Sequence, residues 1–89
     1  MAVITKRVTI GTSNALVLSE DISRNYVSIV NDSANEVYLG IGTNAMQGQG
    51  ILLTARGSSF EISKNHNFNT AVINAVGTTN PQGLAIHGW

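Results

Sequence analysis

The sequence predicts an all-β fold, a single small β-sandwich or jelly-roll-like barrel of about seven or eight short antiparallel strands. Three observations lead there. Valine, isoleucine and threonine number 8, 9 and 8 among 89 residues, and their stiff β-branched side chains suit a pleated surface better than a helix. Nine glycines and ten asparagines supply residues that end strands in turns. Short apolar runs alternate with turn clusters at intervals of roughly 8 to 12 residues, a spacing that fits a sandwich or barrel and not strand–helix units.

Taken in order, the first run, residues 3–10, places Ile4, Val8 and Ile10 on one parity. Lys6 interrupts that face, so residues 1–10 read as an edge strand or a terminal arm. After the turn cluster Gly11-Thr12-Ser13-Asn14 comes Ala15–Leu18, with Leu16 and Leu18 in phase. Residues 19–24 carry cap-like and acidic side chains over a single turn, too little for a helix. In Tyr26–Asn31, Val27 alternates with Ile29 on one face, while Tyr26, Ser28 and Val30 take the other. The turn Asp32-Ser33-Ala34-Asn35 leads to Val37–Ile41, where Val37, Leu39 and Ile41 point one way and Tyr38 the other. These two runs read as a hairpin.

Residues 42–50 hold three glycines and read as a mobile loop after that hairpin. Ile51, Leu52 and Leu53 form a continuous apolar run, expected to be a strand covered on both faces. The turn Arg56-Gly57-Ser58 precedes residues 59–62, with Phe60 and Ile62 inward and Glu61 outward. Residues 65–69 read as a loop. Residues 71–76 are small or apolar on both parities apart from Asn74, as in a central strand or one whose outer face another chain covers. A turn region with Asn80-Pro81 follows, and Leu84 opens the last run.

Composition limits the functions open to such a domain. Its length allows one domain, in which folding buries only about 60–65% of the unfolded chain's surface. Charged residues make up 11% of the chain and apolar residues 43%, against roughly 25% charged in ordinary soluble domains. A net charge of zero supplies no attraction for nucleic acid or an anionic membrane, so neither is expected as a partner. With no cysteine there is no disulfide, thiolate metal site or cysteine nucleophile. No apolar stretch is long enough to span a bilayer, and the opening residues lack the layout of a signal peptide. Synthesis in the cytoplasm is the expectation.

Reactive groupings are scarce. General acid–base chemistry needs titratable groups sharing a pocket, whereas Glu20, Asp21, Asp32, Glu36 and Glu61 fall in turns or at outward positions. His66 and His87 share no metal-ligand spacing. Arg56-Gly57-Ser58-Ser59 lacks the flanking glycines of a nucleophile elbow. Gly40-Ile41-Gly42 and Gly48-Gln49-Gly50 open no helix that would cradle a phosphate, so a bulge or hairpin loop is their expected use. No enzyme activity, metal or cofactor is expected. Five aromatic residues remain: Tyr26, Tyr38, Phe60, Phe68 and Trp89. Tyr26 and Tyr38, if exposed together, could offer a sugar-binding face, or else cap the edge of the core. Trp89 is either an anchor for a partner's pocket or a ring that folds back on its own domain. The solvent face must be filled by Ser, Thr, Asn and Gly, which suits a subunit packed against neighbours.

The series 24–33, Val37-Tyr38-Leu39-Gly40-Ile41-Gly42, Gly50-Ile51-Leu52-Leu53, Phe60-Glu61-Ile62 and Ala71-Val72-Ile73-Asn74-Ala75-Val76 resembles the small β-sandwich virion proteins of tailed bacteriophages. The likeness lies in the order and spacing of these runs and covers residue 24 to the end of the chain. It implies a non-catalytic virion structural protein, a capsid decoration or cement protein that stabilises the head by binding across subunit seams. The implied partners are the major capsid protein and further copies of this chain, with a trimer favoured, and the implied place is the capsid surface. Candidate assembly contacts are Val3 and Ile4 in the first run, Val72, Asn74 and Val76 on the outer face of residues 71–76, and Trp89. The alternative is a receptor- or glycan-binding module of a head or tail fibre, using Tyr26 and Tyr38 beside a groove formed by the 42–50 loop. A small assembly factor or connector component is a third reading.

Overall fold

The computed structural model describes residues 2–64 and 70–89. As the sequence predicts, the described residues form strands and no helix. Eight strands are present: β1 (Ile4–Ile10), β2 (Ala15–Leu18), β3 (Tyr26–Asn31), β4 (Val37–Ile41), β5 (Ile51–Leu53), β6 (Ser59–Ser63), β7 (Ile73–Gly77) and β8 (Gln82–Gly88). They make two four-stranded antiparallel sheets, ordered β1-β8-β3-β6 and β2-β7-β4-β5. The pairing is nested, β1 with β8, β2 with β7, β3 with β6 and β4 with β5. A long hairpin rolled up on itself has that pairing, which is the topology of an eight-stranded jelly roll.

The hairpin expected between β3 and β4 does not form. β3 lies between β8 and β6, while β4 lies in the other sheet between β7 and β5. Residues 32–36 are therefore an arch between sheets, and the real hairpin is β4–β5 around the 42–50 loop. Buried polar side chains make the arch possible. Asn31 Nδ2 donates to the carbonyls of Asn35 at 2.8 Å, Leu53 at 3.1 Å and Thr54 at 2.8 Å. Its Oδ1 accepts from the Ser33 amide at 3.1 Å and hydroxyl at 2.7 Å. From β8, Gln82 Nε2 donates to Ser33 Oγ at 2.9 Å and Asn35 O at 3.0 Å, and its Oε1 accepts from Thr79 N at 2.9 Å. Groups that would otherwise be stranded at the end of the core are thereby paired.

The core between the sheets is aliphatic. Val27, Ile29, Ile62, Leu84 and Ile86 from the first sheet meet Val17, Val37, Leu39, Leu53, Ile73 and Ala75 from the second. β1 is an edge strand paired along its whole length with β8, and Lys6 lies on its inward parity, where a charge discourages edge-to-edge association. Leu16 and Leu18 do not share a face: Leu16 is 55% exposed and Leu18 is buried. A register shift between them moves Val17 and Leu18 together into the core. β5 is not covered on both faces either. As an edge strand it buries Leu53 and leaves Leu52 exposed.

β7 is central, as its composition suggests, but this chain itself covers its outer face. The loop expected to be mobile folds back across the sheet. Gly42 N donates to Val72 O at 2.7 Å, Asn74 Nδ2 to Thr43 O at 2.8 Å and Gln47 Nε2 to Gly77 O at 2.9 Å. Asn14 Oδ1 accepts from Ala45 N at 2.7 Å, fastening the loop to the β1–β2 turn. Gly40 permits this approach, since a Cβ there would stand 2.7 Å from the carbonyl oxygens of Thr43 and Asn44. Gly42, at φ 76°, starts the reversal in a conformation that side chains disfavour. At the opposite end of β2, the buried Arg24 donates to Ser19 O at 2.7 Å and Ala71 O at 2.9 Å. Burial pulls its guanidinium below its ordinary pKa.

Two substitutions test these assignments. Asn31→Ala removes the donor for three carbonyls, one buried and two part-buried, and is expected to cost about 3 kcal/mol in chemical denaturation. Gly40→Ala should cost about 2 kcal/mol by overpacking. It should also release the loop, read as faster hydrogen exchange at Thr43–Ala45 with the β1–β8 pair unchanged.

Candidate functional site

Three surfaces carry the exposed side chains with chemical character. The first lies where connections 11–14, 32–36, 54–58 and 78–81 gather at one end of the sandwich. Arg56 N donates to Ser33 O and Gly57 N to Asn31 O, each at 2.8 Å, and Gly77 N donates to Gly11 O at 2.7 Å. Between these connections is an open cleft of about 440 Å³, lined in part by Arg7, Asp32, Asn35, Arg56 and Thr79. Arg7 Nη1 donates to Asp32 Oδ2 at 2.6 Å, and Arg56 Nη1 stands 3.7 Å from Asp32 Oδ1. The hydrogen bond from Arg7, its charge and the charge of Arg56 hold the Asp32 carboxyl below its usual value. Gly83 lies beneath the Arg7 guanidinium, where a Cβ would collide with it.

The second surface is the outer face of the β1-β8-β3-β6 sheet. Register places Thr5 opposite His87, His87 opposite Ser28 and Ser28 opposite Glu61, one polar row across four strands. Thr5 Oγ1 and His87 Nδ1 share a hydrogen bond of 2.8 Å. Beside the row, the Tyr26 hydroxyl donates to Glu61 Oε2. That bond, followed by partial desolvation and the Glu61 charge, raises the phenol above its ordinary pKa. The Trp89 ring stacks on Tyr26 with centroids 4.6 Å apart and planes 26° apart, and meets His87 edge-on at 5.8 Å. Its main chain is held as well: Trp89 O accepts from Asn25 N at 2.7 Å and Tyr26 N at 3.0 Å, and Trp89 N donates to Tyr26 O at 3.0 Å. Trp89 as a whole keeps 43% of its surface exposed.

The third surface is the outer face of the β2-β7-β4-β5 sheet. Leu16 pairs with Asn74, and Leu52 with Tyr38, so both leucines project from this face. Both are exposed, as is Met46 on the overlying loop. In the β2–β3 connection Ile22 is 89% exposed. Its turn is rigid, since Asp21 Oδ1 accepts from Ser23 N at 2.9 Å and Ser23 Oγ at 2.6 Å, while Arg24 N donates to Asp21 O at 3.1 Å.

The contacts expected from sequence are dispersed. Val3 is exposed just before β1 and Ile4 is half-buried. Val72 is half-buried beside the loop that bonds its carbonyl. Asn74 and Val76 are buried within the chain, because the 42–50 loop occupies the face left open for a neighbour. Trp89 folds back on its own domain, the second of its two expected fates. Tyr26 and Tyr38 sit in opposite sheets and share no groove. Phe68 and His66 lie outside the described residues. Among the described residues no group of three His, Asp or Glu side chains could hold a metal ion. Sequence reading missed Arg7, Arg56, Thr5 and His87 as neighbours of anything, because each meets its partner through strand pairing or across an arch. The scarcity of charge was the one available signal, since it makes an Arg–Asp–Arg cluster stand out.

Fold and surfaces together define a small jelly-roll domain with one aromatic face and one apolar face. No protein-family model matches the chain, and no curated protein matches it.

The Asp32 cluster sets an acid dependence. A depressed folded-state pKa means that its stabilisation is complete above the ordinary aspartate value of about 4. That stabilisation is lost as pH falls through the lower, folded-state value. Thermal unfolding followed from neutral pH downward should show Asp32→Asn less stable than the parent near neutrality, with the two converging in acid.

Proposed function

We propose that this chain is a structural, non-catalytic subunit of a tailed-bacteriophage virion, a decoration or cement protein that binds across seams between capsid subunits. The observation that carries the reading is the set of apolar side chains held out on the surface of a chain poor in charge: Leu16, Leu52, Met46 and, most exposed, Ile22. Exposed apolar side chains on a chain with only 11% charged residues suit a surface destined for burial against protein. The rigid turn under Ile22 lowers the entropy lost on docking. Jelly rolls recur in capsid proteins, an analogy of fold that supports the reading without carrying it.

The mechanism is mechanical. Each copy covers surface on adjacent capsid subunits, so binding favours the closed shell through linkage. Trimerisation would join several modest contacts into one avid attachment. The contacts fall on the Leu16–Leu52 face and on Ile22, with Val3 available at the start of β1.

Binding to heads of the virus whose genome carries this sequence tests the proposal. The protein is expected to sediment as a trimer, to co-sediment with purified heads and to raise the temperature at which they rupture. Leu16→Asp with Ile22→Asp should weaken co-sedimentation at least tenfold, about 1.4 kcal/mol, with the fold intact by circular dichroism. A folded protein that stays in the supernatant with heads in excess overturns it.

A further inference from the structure

The outer face of the first sheet has a different chemistry, and its reading does not depend on the virion proposal. We infer that this face is a saccharide-binding platform. The Trp89 indole is the stacking surface, and Glu61, Ser28, His87 and Thr5 are the hydrogen-bonding groups for a neutral, polyhydroxylated ligand.

The placement of the aromatic groups comes first. Burial of an indole contributes more than that of any aliphatic side chain, yet the core is aliphatic and the chain's single tryptophan sits outside it. Its ring is held against Tyr26, the phenol of Tyr26 is held by Glu61, and its main chain is bonded to residues on both sides of the β3 start. A half-exposed ring fixed from three directions is preorganised, which lowers the cost of binding.

The face of an indole carries the negative lobe of its quadrupole. The C–H face of a pyranose presents weakly positive hydrogens to such a surface, while its hydroxyls radiate from the ring edge. Beside the rings lies what those hydroxyls need: two side-chain hydroxyls, an imidazole and a carboxylate, which together both donate and accept. Neighbouring strands are about 4.8 Å apart, so the row across four strands runs for about 14 Å. That length accommodates more than one sugar ring.

Other ligand classes fit less well. An anion would meet Glu61, and the row holds no arginine or lysine; Arg7, on the same strand as Thr5, is engaged by Asp32. A lipid or an apolar protein anchor would leave unmet the donor and acceptor positions that the bonds within the row, Thr5 with His87, Ser28 with the His87 carbonyl and Tyr26 with Glu61, do not use, at a cost for each.

Because Trp89 is the only tryptophan, fluorescence reads the site directly. The full chain is titrated with neutral malto-, cello-, galacto- and chito-oligosaccharides into the millimolar range. At least one series should shift the emission to the blue, protect it from acrylamide and move the amide resonances of Ser28, Glu61 and His87. Glu61→Gln should lower that affinity about tenfold, Trp89→Phe should retain part of it, and Trp89→Ala should abolish it by resonance shifts. Leu16→Ala should change nothing. Thermal unfolding of each variant separates loss of binding from loss of fold, and Trp89→Phe keeps the test valid if Trp89→Ala fails to fold.

The inference is overturned if no series alters Trp89 emission or quenching. It is also overturned if the shifted resonances cluster at the Arg7–Asp32–Arg56 cleft, or if a folded Trp89→Ala variant binds equally well. Heads that protect Trp89 from acrylamide would assign this face to protein contact and would likewise overturn it, while leaving the attachment proposal standing.

Discussion

The arch of residues 32–36, and the buried amides that hold it, is the constraint on which the rest of the molecule depends. Apart from β4 to β5, every successive strand changes sheet, so the backbone must repeatedly cross the end of an aliphatic core. Such crossings leave carbonyls and amides with no strand partner, and an unpaired buried polar group costs as much as several apolar contacts contribute. Asn31 and Gln82 resolve this from two different strands, binding carbonyls of the arch and of the β5–β6 connection together. The two amides thereby act as a clasp between sheets.

Much of the surface chemistry follows from that clasp. With β3 sent into the first sheet, its start lies beside the end of β8, which brings Tyr26 beneath Trp89 and aligns Ser28 with His87. With Asp32 at the first position of the arch, its carboxylate meets Arg7 from β1 and Arg56 from the β5–β6 connection. Neither grouping belongs to one stretch of chain. Both are consequences of nested pairing, in which the first and last strands become neighbours.

The two sheets also divide the surface between two chemistries. One outer face is polar and aromatic, with side chains that fix one another. The other is part loop-covered and part apolar, its leucines projecting at both edges around a folded-back loop. A domain that attaches through the second face leaves the first turned away, free to meet a different kind of ligand. The two sheets stack about 10 Å apart, and their outer faces lie on opposite sides of the sandwich.

Local pattern determined where the strands lie. Alternation placed Val27 and Ile29, Phe60 and Ile62, and Leu39 on inward positions, and Lys6 marked an edge, because a period of two is a property of neighbouring residues alone. The pairing of those strands was settled only in three dimensions. Whether residues 32–36 close a hairpin or an arch depends on Gln82, 46 positions beyond Glu36, whose carbonyl its amide also meets. The bulge that separates Leu16 from Leu18, the loop that covers Asn74 and Val76, and the fold-back of Trp89 are decided by close approaches and by hydrogen bonds in which a main-chain group is at least one partner. One partner in each such bond is a main-chain atom common to all residues, so even where Asn14, Gln47 or Asn74 supplies the other, the order of side chains does not say which main-chain group it meets.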